Sequence, residues 1–419
     1  MTREGVPEVK PGVWITQLDT EERATLLGTF AGWMLDGLDV MIYSFVLPSL
    51  IALWHISKGQ AGMLGTSALL LSSVGGWAAG FAADRYGRVR VLQVTILWFA
   101  VFTFLSGFAQ NFEQLLVLRG LQGLGFGGEW AVGSVLIGEV IRPRFRGRAV
   151  GTVQSGWALG WGIAAVSYTV FFAVLPQALA WRVMFWIGLI PAALAVYVRR
   201  HVKEPQIYIQ SVQPTSAAPE RGGALQIFSR GRLRTTLLAS LVALGAQGGY
   251  YAINTWLPLY LNARGLSVMH TGMYLLVVIA GSFTGYLVSA YLADRIGRRI
   301  TLVLFAMGAF VTVCCYSLFL IGDTATLLLG FPLGFFPSGS FSPMGAFFTE
   351  LFPTSMRGSG QGFSYNLGRG VGALFPTLVG YFSVRLKLGQ AIALFAVCAY
   401  VLMIASVLLL PETRDVELE

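Results

Sequence analysis

The string Asp-Arg-x-Gly-Arg occurs twice in this chain, at residues 84–88 and again at 294–298. The two copies lie 210 residues apart in a chain of 419 residues, and each follows a long apolar run. A Glu-to-Arg spacing of seven residues repeats at an offset of 211 residues, as Glu139–Arg146 and Glu350–Arg357. Charged turns repeated between hydrophobic segments indicate two copies of one membrane unit.

The composition favours a lipid environment. Hydrophobic residues make up 55% of the chain and charged residues only 12%, with a mean hydropathy of +0.67. Soluble proteins carry about 25% charged residues, whereas a membrane span needs about 20 mostly apolar residues. We therefore predict an all-α polytopic membrane protein with 12 transmembrane helices in two pseudo-symmetric six-helix bundles. The predicted helices span 24–54, 60–83, 90–110, 114–138, 147–175, 181–199, 235–262, 270–293, 300–321, 325–349, 359–383 and 389–410.

The helices divide the chain into two bundles, 24–199 and 234–411, joined by a polar linker at 200–233. Residues 1–23 and 412–419 form the two terminal segments. If both termini and the linker face the cytoplasm, the cytoplasmic segments hold 22 Lys and Arg residues and the outer loops hold five. This excess predicts a multi-pass protein of the inner (plasma) membrane with both termini inside. It also accounts for the net charge of +9 without a nucleic-acid partner.

The loop between predicted helices 2 and 3 carries a family signature. The pattern G-x-x-x-D-R-x-G-R is matched by Gly80, Asp84, Arg85, Gly87 and Arg88, and a second copy follows helix 8, with alanine in place of the first glycine. At these residues the chain resembles the major facilitator superfamily. The resemblance implies two six-helix halves around a central cavity, which rock to expose it alternately to each side.

Motifs inside the helices refine this resemblance. Asp36–Asp39 in helix 1, Arg119–Gly123 and Gly128–Trp130 in helix 4, and Tyr365–Arg369 in helix 11 resemble the metabolite:proton symporters. The sialate:proton and aromatic-acid:proton branches are the most similar. The resemblance implies transport of a small organic anion together with protons.

Five ionisable residues fall inside predicted spans: Asp36, Asp39, Arg119, Glu129 and Arg369. Each costs roughly 3 kcal/mol or more at bilayer depth unless it is paired or faces water. The resemblance favours Asp39 and Arg119 as the proton-coupling pair, with Asp36 or Glu129 as an accessory or alternative proton site. The alternatives are a fixed structural ion pair between Asp39 and Arg119, and a purely structural role for Glu129 in holding helix 4.

Arg369 is the predicted substrate ligand, because glycines flank it and its guanidinium offers a planar fork of donors that matches a carboxylate. A salt bridge to another helix is the alternative. Polar and aromatic side chains at helical spacing on neighbouring spans are predicted to complete the site. They are Asn366, Gln247, Tyr251, Asn254, Tyr43, Gln122, Gln154 and Trp157.

The repeated loop charges are predicted to gate the two halves, since the resemblance implies that the loop aspartates meet a helix N-terminus of the other half. Solvated charges that only fix topology are the alternative. The predicted gating residues are Asp84, Arg85, Arg88, Glu139, Arg146, Asp294, Arg295, Arg298, Glu350 and Arg357.

Together these features predict a secondary transporter that takes up a small organic anion with protons, such as a monocarboxylate, an aromatic acid or a sialic-acid-like sugar acid. A proton-coupled carrier of neutral sugars or drugs is the alternative on the same fold, and a non-transporting membrane sensor is the alternative from another class. We expect no enzymatic activity, no cofactor beyond the proton gradient and no metal. The expected partners are the anion, protons and the lipid bilayer, with the protein acting as a monomer.

Overall fold

The computed structural model describes residues 14–142, 145–204, 227–265, 268–319, 322–352 and 357–414. Over these residues the chain forms twelve helical segments, α1–α12, four of which are interrupted. Their bounds are α1 Thr20–Trp54, α2 Lys58–Tyr86, α3 Arg88–Ser106, α4 Phe112–Val140, α5 Arg146–Val174, α6a Gln177–Trp186, α6b Pro191–His201, α7a Leu233–Asn254, α7b Leu257–Ala263, α8 Val268–Ile296, α9 Arg298–Leu318, α10a Asp323–Gly339, α10b Phe341–Leu351, α11a Arg357–Gly372, α11b Leu374–Phe382 and α12 Leu388–Leu408.

The interruptions follow from proline. Helices α7a, α10a and α11a each end four residues before a proline, namely Pro258, Pro343 and Pro376. A proline has no N–H to bond the carbonyl four residues earlier, and its ring clashes with that carbonyl. In α6 a 3-10 turn over Ile187–Leu189 precedes Pro191 in the same way. The sequence predicted these four segments as continuous helices, so the breaks refine that prediction.

The exterior of the described bundle is apolar. Eight helical segments of the described residues are long and apolar enough to cross a membrane. Large hydrophobic side chains such as Val94, Phe319 and Leu328 are more than half exposed. Soluble monomers rarely carry such extensive apolar surface. The predicted class, an all-α polytopic membrane protein, is confirmed.

The packing repeats with the period of the sequence motifs. In the first half α1 packs against α5, α2 against α4, and α3 against α6b. In the second half the equivalent pairs are α7a with α11a, α8 with α10a, and α9 with α12. The halves meet along two equivalent seams, α5 against α8 and α11 against α2. The start of α1 and the end of α12 lie on one side of the bundle, called the terminal side below.

The repeated loop motif forms the same tight turn in both halves. One residue, Gly87 or Gly297, separates α2 from α3 and α8 from α9, and each has a φ of +102°. Side chains strongly disfavour this backbone region, which glycine enters freely. The backbone conformation of the turn therefore explains why the motif contains this glycine, independently of any gating role.

Candidate functional site between the two halves

The five predicted ionisable residues are all buried near the middle of the bundle. Their exposed fractions run from 0% for Asp36 to 4% for Glu129. They come from α1, α4 and α11a, so both halves contribute. The structure sorts them into two carboxyl environments and a separate guanidinium, that of Arg369.

Asp39 lies inside the first half. Its Oδ1 accepts a hydrogen bond of 2.5 Å from the Thr103 hydroxyl on α3, and its Oδ2 accepts one from the Gln122 side-chain amide on α4. Arg119 Nη1 lies 3.7 Å from Asp39 Oδ2, so the predicted pair is in contact but beyond hydrogen-bond length. Gly188, after α6a, leaves room for Thr103, since a Cβ there would be 2.1 Å from the Thr103 Cγ2.

Arg119 packs over the ring of Tyr43 on α1. Its guanidinium lies 5.1 Å from the centre of the Tyr43 ring, within the range of a cation–π contact. The Tyr43 hydroxyl donates to the carbonyl of Ala61 on α2. Within the part of the chain that the structure describes, Arg119 Nε and Nη1 have no acceptor.

Asp36 and Glu129 form a second, different carboxyl site. The Glu129 carboxyl lies against Gly32, one helical turn before Asp36; a Cβ on Gly32 would sit 2.1 Å from Glu129 Oε1. The charged groups within electrostatic reach of Asp36 are Glu129, Asp39 and Arg369. Among the described residues no donor reaches either Asp36 oxygen or Glu129 Oε2. The two carboxyls therefore face each other.

Arg369 lies between aromatic rings at the seam. Its guanidinium is 5.0 Å from the centre of Phe126 on α4 and 5.1 Å from that of Tyr365 on its own helix. Tyr251 and Asp36 are its other electrostatic neighbours. Nε and Nη1 of Arg369 find no acceptor among the described residues. An arginine that is 2% exposed and has two unused donors is a ready binding group for an anion.

A small cavity lies between the halves, next to these residues. Four predicted site residues line it: Tyr43, Gln122, Tyr251 and Asn254. Arg119 lines it as well, and Phe126 separates it from Arg369. Its water-accessible volume is about 20 Å³, enough for one or two waters and far below the roughly 300 Å³ or more of a typical ligand pocket. The halves must part before a metabolite can enter.

Two of the other four predicted binding residues connect helices in this conformation. The Gln247 side-chain amide donates to the Tyr365 carbonyl at 3.0 Å, and Trp157 Nε1 donates across the halves to the Tyr250 hydroxyl at 2.7 Å. Asn366 donates to Gly362 O of its own helix at 3.0 Å. Gln154 is buried on α5. Their predicted substrate contacts stay predictions.

An aromatic wall lies beside the carboxyls, and of its three tryptophans the sequence predicted only Trp157 as a site residue. Trp33 lies 4.2 Å from Trp130 and 5.0 Å from Trp157, measured between ring centres, and Trp130 lies 6.3 Å from Tyr365. Three different helices of the first half supply the three indole rings. Their sequence signal was only that tryptophans recur near the polar motifs of helices 1, 4 and 5.

The side of the seam opposite the terminal side is closed. The Thr66 hydroxyl on α2 bonds the Ala373 carbonyl at 2.5 Å and the Thr377 hydroxyl at 2.6 Å. A Cβ on Gly62 would lie 2.6 Å from the backbone oxygen of Pro376. The two helix backbones therefore touch, which only small residues permit.

Of the predicted gating residues, the side chains of Asp84, Arg85, Glu139, Arg146, Asp294 and Arg357 lie outside the described part of the structure. In the second half, Arg298 Nη2 pairs with Glu350 Oε1 at 3.2 Å, and Glu350 also accepts from Thr413 at 2.5 Å. Arg295 lies over the Tyr291 ring at 4.6 Å. In the first half, Arg88 Nη1 donates to the Ala83 carbonyl at 2.9 Å. Each of these contacts joins two residues of the same half.

Two carboxylates at the terminal side were missed by the sequence reasoning. Glu204, just after α6b, accepts the backbone N–H groups of the first two residues of α3 at 2.9 Å each. Glu412, just after α12, does the same for α9 at 2.8 and 3.1 Å. An anion at a helix N-terminus is stabilising. The signal was present as a Glu beside a proline after both helices, at Glu204–Pro205 and Pro411–Glu412.

Two six-helix halves with buried charges at their seam define a membrane transport protein and not an enzyme. The sequence profile of the Major Facilitator Superfamily matches residues 29–376 and 280–418. The chain belongs to this superfamily, which confirms the resemblance seen in the motifs.

Relatives match over nearly the whole length. A probable 4-methylmuconolactone transporter of Cupriavidus pinatubonensis is 44% identical, over 97% of this chain and 94% of the relative. A cis,cis-muconate transport protein of Acinetobacter baylyi is 30% identical, over 94% and 95%. A sialic acid transporter of Escherichia coli is 30% identical, over 93% and 95%.

Proposed function

We propose that this protein is a proton-coupled symporter that takes up a small organic acid by alternating access. The observation that carries the proposal is Arg369, a buried guanidinium at the seam with two donors that no described residue uses. A carboxylate is the ligand that best matches such a planar fork. The relatives are named for muconolactone, muconate and sialic acid, which supports an organic acid as the cargo.

The rings around Arg369 favour an acid with a planar, unsaturated body. Phe126 and Tyr365 flank the guanidinium, and Trp130 continues the wall. Aromatic faces stack on planar π systems at ring distances of about 4.5–7 Å. A muconate-like or lactone acid can use both features at once, with its carboxylate on Arg369 and its double bonds against the rings.

Charge balance supplies the coupling. In the absence of substrate, Asp36 is the carboxyl group whose negative charge interacts with Arg369. When a substrate carboxylate takes over the guanidinium, Asp36 and Glu129 lose their nearby cation while they remain buried. A buried negative charge without a partner is costly. Entry of one anion together with one proton keeps the buried charge constant, which couples the two movements.

Alternating access and sidedness complete the proposal. The seam is closed around a cavity too small for an organic acid, so the halves rock apart along α5–α8 and α2–α11. The excess of Lys and Arg on the terminal loops supports a cytoplasmic terminal side and an inner-membrane location. Uptake then runs from the side of Thr66 and Gly62 toward the termini.

The test is transport by the purified full-length protein in proteoliposomes. Labelled cis,cis-muconate should accumulate above equilibrium in vesicles that are alkaline inside. A protonophore should abolish this accumulation. Unlabelled 4-methylmuconolactone and sialic acid serve as competitors, and a neutral sugar serves as the negative control. Accumulation that ignores the protonophore, or the failure of every acid to enter or compete, would overturn the proposal.

A further inference from the structure

A polar stripe runs along α1 from the terminal side to Asp36. Glu22, Thr25, Thr29, Gly32 and Asp36 follow one another at spacings of three and four residues, so they share one face of the helix. The four side chains of this stripe are 0–6% exposed. This face points into the first half and packs against α4, as the contact of Gly32 with Glu129 shows.

A second small cavity lies on this stripe, away from the seam. Its lining includes Thr29, Trp33, Glu129 and Gly133, and every lining residue belongs to α1, α3, α4 or α5. Its water-accessible volume is about 10 Å³, close to the minimum for one water molecule. The cavity is therefore internal to the first half and reaches Glu129 from the terminal side.

Polar atoms with unmet hydrogen bonds lie at this cavity and along the stripe. Within the described residues, Glu129 Oε2, Trp33 Nε1 and Thr25 Oγ1 have no partner, and neither has either oxygen of Asp36. Buried polar groups in proteins are nearly always bonded to protein or to ordered water. One water next to Glu129 and Trp33, and one proton between Asp36 and Glu129, would satisfy most of these atoms together.

We propose that the coupled proton binds between Asp36 and Glu129 and leaves to the terminal side along this stripe, inside the first half, and not through the seam that the substrate uses. The proposal rests on the proposed function, since it assigns the proton's site and route in that symport.

The chemistry needs only proton transfer between oxygens. The pair of carboxyls holds one proton as a hydrogen bond between them, and two like charges cannot both stay ionised at this distance. The proton passes from Glu129 to the cavity water. From there it moves along the face of the Thr29 and Thr25 hydroxyls, each of which accepts one proton as it gives up another. Glu22 at the end of the stripe stays ionised in its pair with Arg142, whose side chain is 42% exposed, so solvent takes up the proton there.

The charged groups around the pair are consistent with this assignment. Asp36 faces Glu129 from α4, Asp39 from its own helix and Arg369 from α11a. Asp39 is a poorer carrier, because both of its oxygens already accept hydrogen bonds and Arg119 is its neighbour. The pair is a poorer site for a metal ion, because a metal ion needs a shell of several oxygens. Indole rings and a glycine border the two carboxyls instead.

The first experiment separates proton movement from substrate movement. Counterflow exchanges substrate without net proton transport, whereas accumulation driven by a pH gradient requires proton release. In proteoliposomes, Glu129→Gln should keep counterflow within about twofold of wild type and lose pH-driven accumulation by at least tenfold. A pyranine signal of proton entry on substrate addition should be lost in parallel.

The second experiment tests the route. Thr25→Val with Thr29→Val removes both hydroxyls at nearly constant volume and should slow net pH-driven uptake at least tenfold while counterflow persists. Restoring hydroxyls with Thr25→Ser and Thr29→Ser should restore net uptake. Thr312→Val on α9 is the matched control, because Thr312 is 5% exposed and bonds a carbonyl of its own helix at 2.7 Å, much as Thr29 does at 2.8 Å.

Each outcome has one meaning. Wild-type accumulation without a response to the pH gradient would overturn the proposed function itself. Proton-driven accumulation that survives Glu129→Gln would overturn the proton site. Loss in Glu129→Gln with full net uptake in the doubly Thr→Val protein would overturn the route. A sodium gradient that replaces the pH gradient in wild type would show that the pair binds a metal cation instead.

Discussion

Arg119 Nη1 lies 3.7 Å from Asp39 Oδ2, close enough to neutralise it but too far for a hydrogen bond. The Asp39 oxygens are instead bonded by Thr103 and Gln122, from two other helices of the first half. This geometry resembles a structural counterion more than a switch that changes partners. In the proposed mechanism the proton-carrying role therefore falls to the other carboxyl site.

The two aspartates of α1 should therefore differ in what they stabilise. Asp39→Asn leaves the Arg119 guanidinium buried without a counterion, and breaking a buried pair costs about 3–5 kcal/mol. Asp36→Asn removes a carboxyl that no donor among the described residues bonds, so it should cost clearly less stability than Asp39→Asn. Thermal unfolding in detergent checks both. Equal losses of stability in the two variants would contradict the distinction.

Arg369→Lys should weaken substrate binding. Lysine keeps the charge but loses the planar fork and the stacking between Phe126 and Tyr365. We expect the Kd, measured by competition in counterflow, to rise at least tenfold, or about 1.4 kcal/mol. Arg264→Lys is the matched control, since Arg264 also lies over a tyrosine ring, at 5.8 Å, but outside the seam. Unchanged affinity in Arg369→Lys would remove Arg369 from the site.

Gly62→Ala should open the side of the seam opposite the termini. A Cβ at this position meets the α11b backbone at 2.6 Å, so the helices must separate. A Ser44→Cys reporter, which lines the central cavity, should then react at least tenfold faster with an impermeant maleimide added from that side, in a background without the native cysteines. Gly80→Ala on the same helix has no atom within 4 Å of its Cβ and should leave labelling unchanged. Equal labelling in the two variants would contradict the closed-seam interpretation.

Glu204→Ala should destabilise the terminal side of the first half. The carboxylate accepts two backbone N–H groups at the start of α3, and loss of such a cap costs about 1 kcal/mol. The melting temperature in detergent measures the change. Glu113→Ala, in the exposed first turn of α4, is the comparison. It should have a clearly smaller effect, because no cap hydrogen bond is lost.

Much of the fold could be predicted because it depends on local signals. These signals are properties of short stretches of sequence: apolar length, the positions of proline and glycine, and the repeated turn. Both halves contain such stretches and pack them in the same way. The breaks in α6, α7, α10 and α11 were not predicted, because a proline within a long apolar run interrupts the helix without ending the span. Apolar length alone cannot show such a break.

The site was only partly predictable. Helical spacing placed Asp36, Asp39 and Tyr43 on one face of α1, yet the structure gives them three different sets of neighbours. Asp36 faces Glu129, Asp39 faces Thr103 and Gln122, and Tyr43 lies under Arg119. A face of a helix is broad enough to meet several partners, and helix packing decides which side chain meets which.

The sequence by itself determined that this protein is a duplicated, twelve-helix membrane transporter with five buried charges. Hydropathy and repeated motifs suffice for that, because a lipid environment leaves helices as the available way to satisfy the backbone. Only the tertiary structure decided that Asp39 is bonded within the first half, that Asp36 and Glu129 face each other, and that two donors of Arg369 meet no acceptor among the described residues. Those pairings depend on contacts of a few ångströms between helices that are distant along the chain, and the residue pattern of any single helix does not contain them.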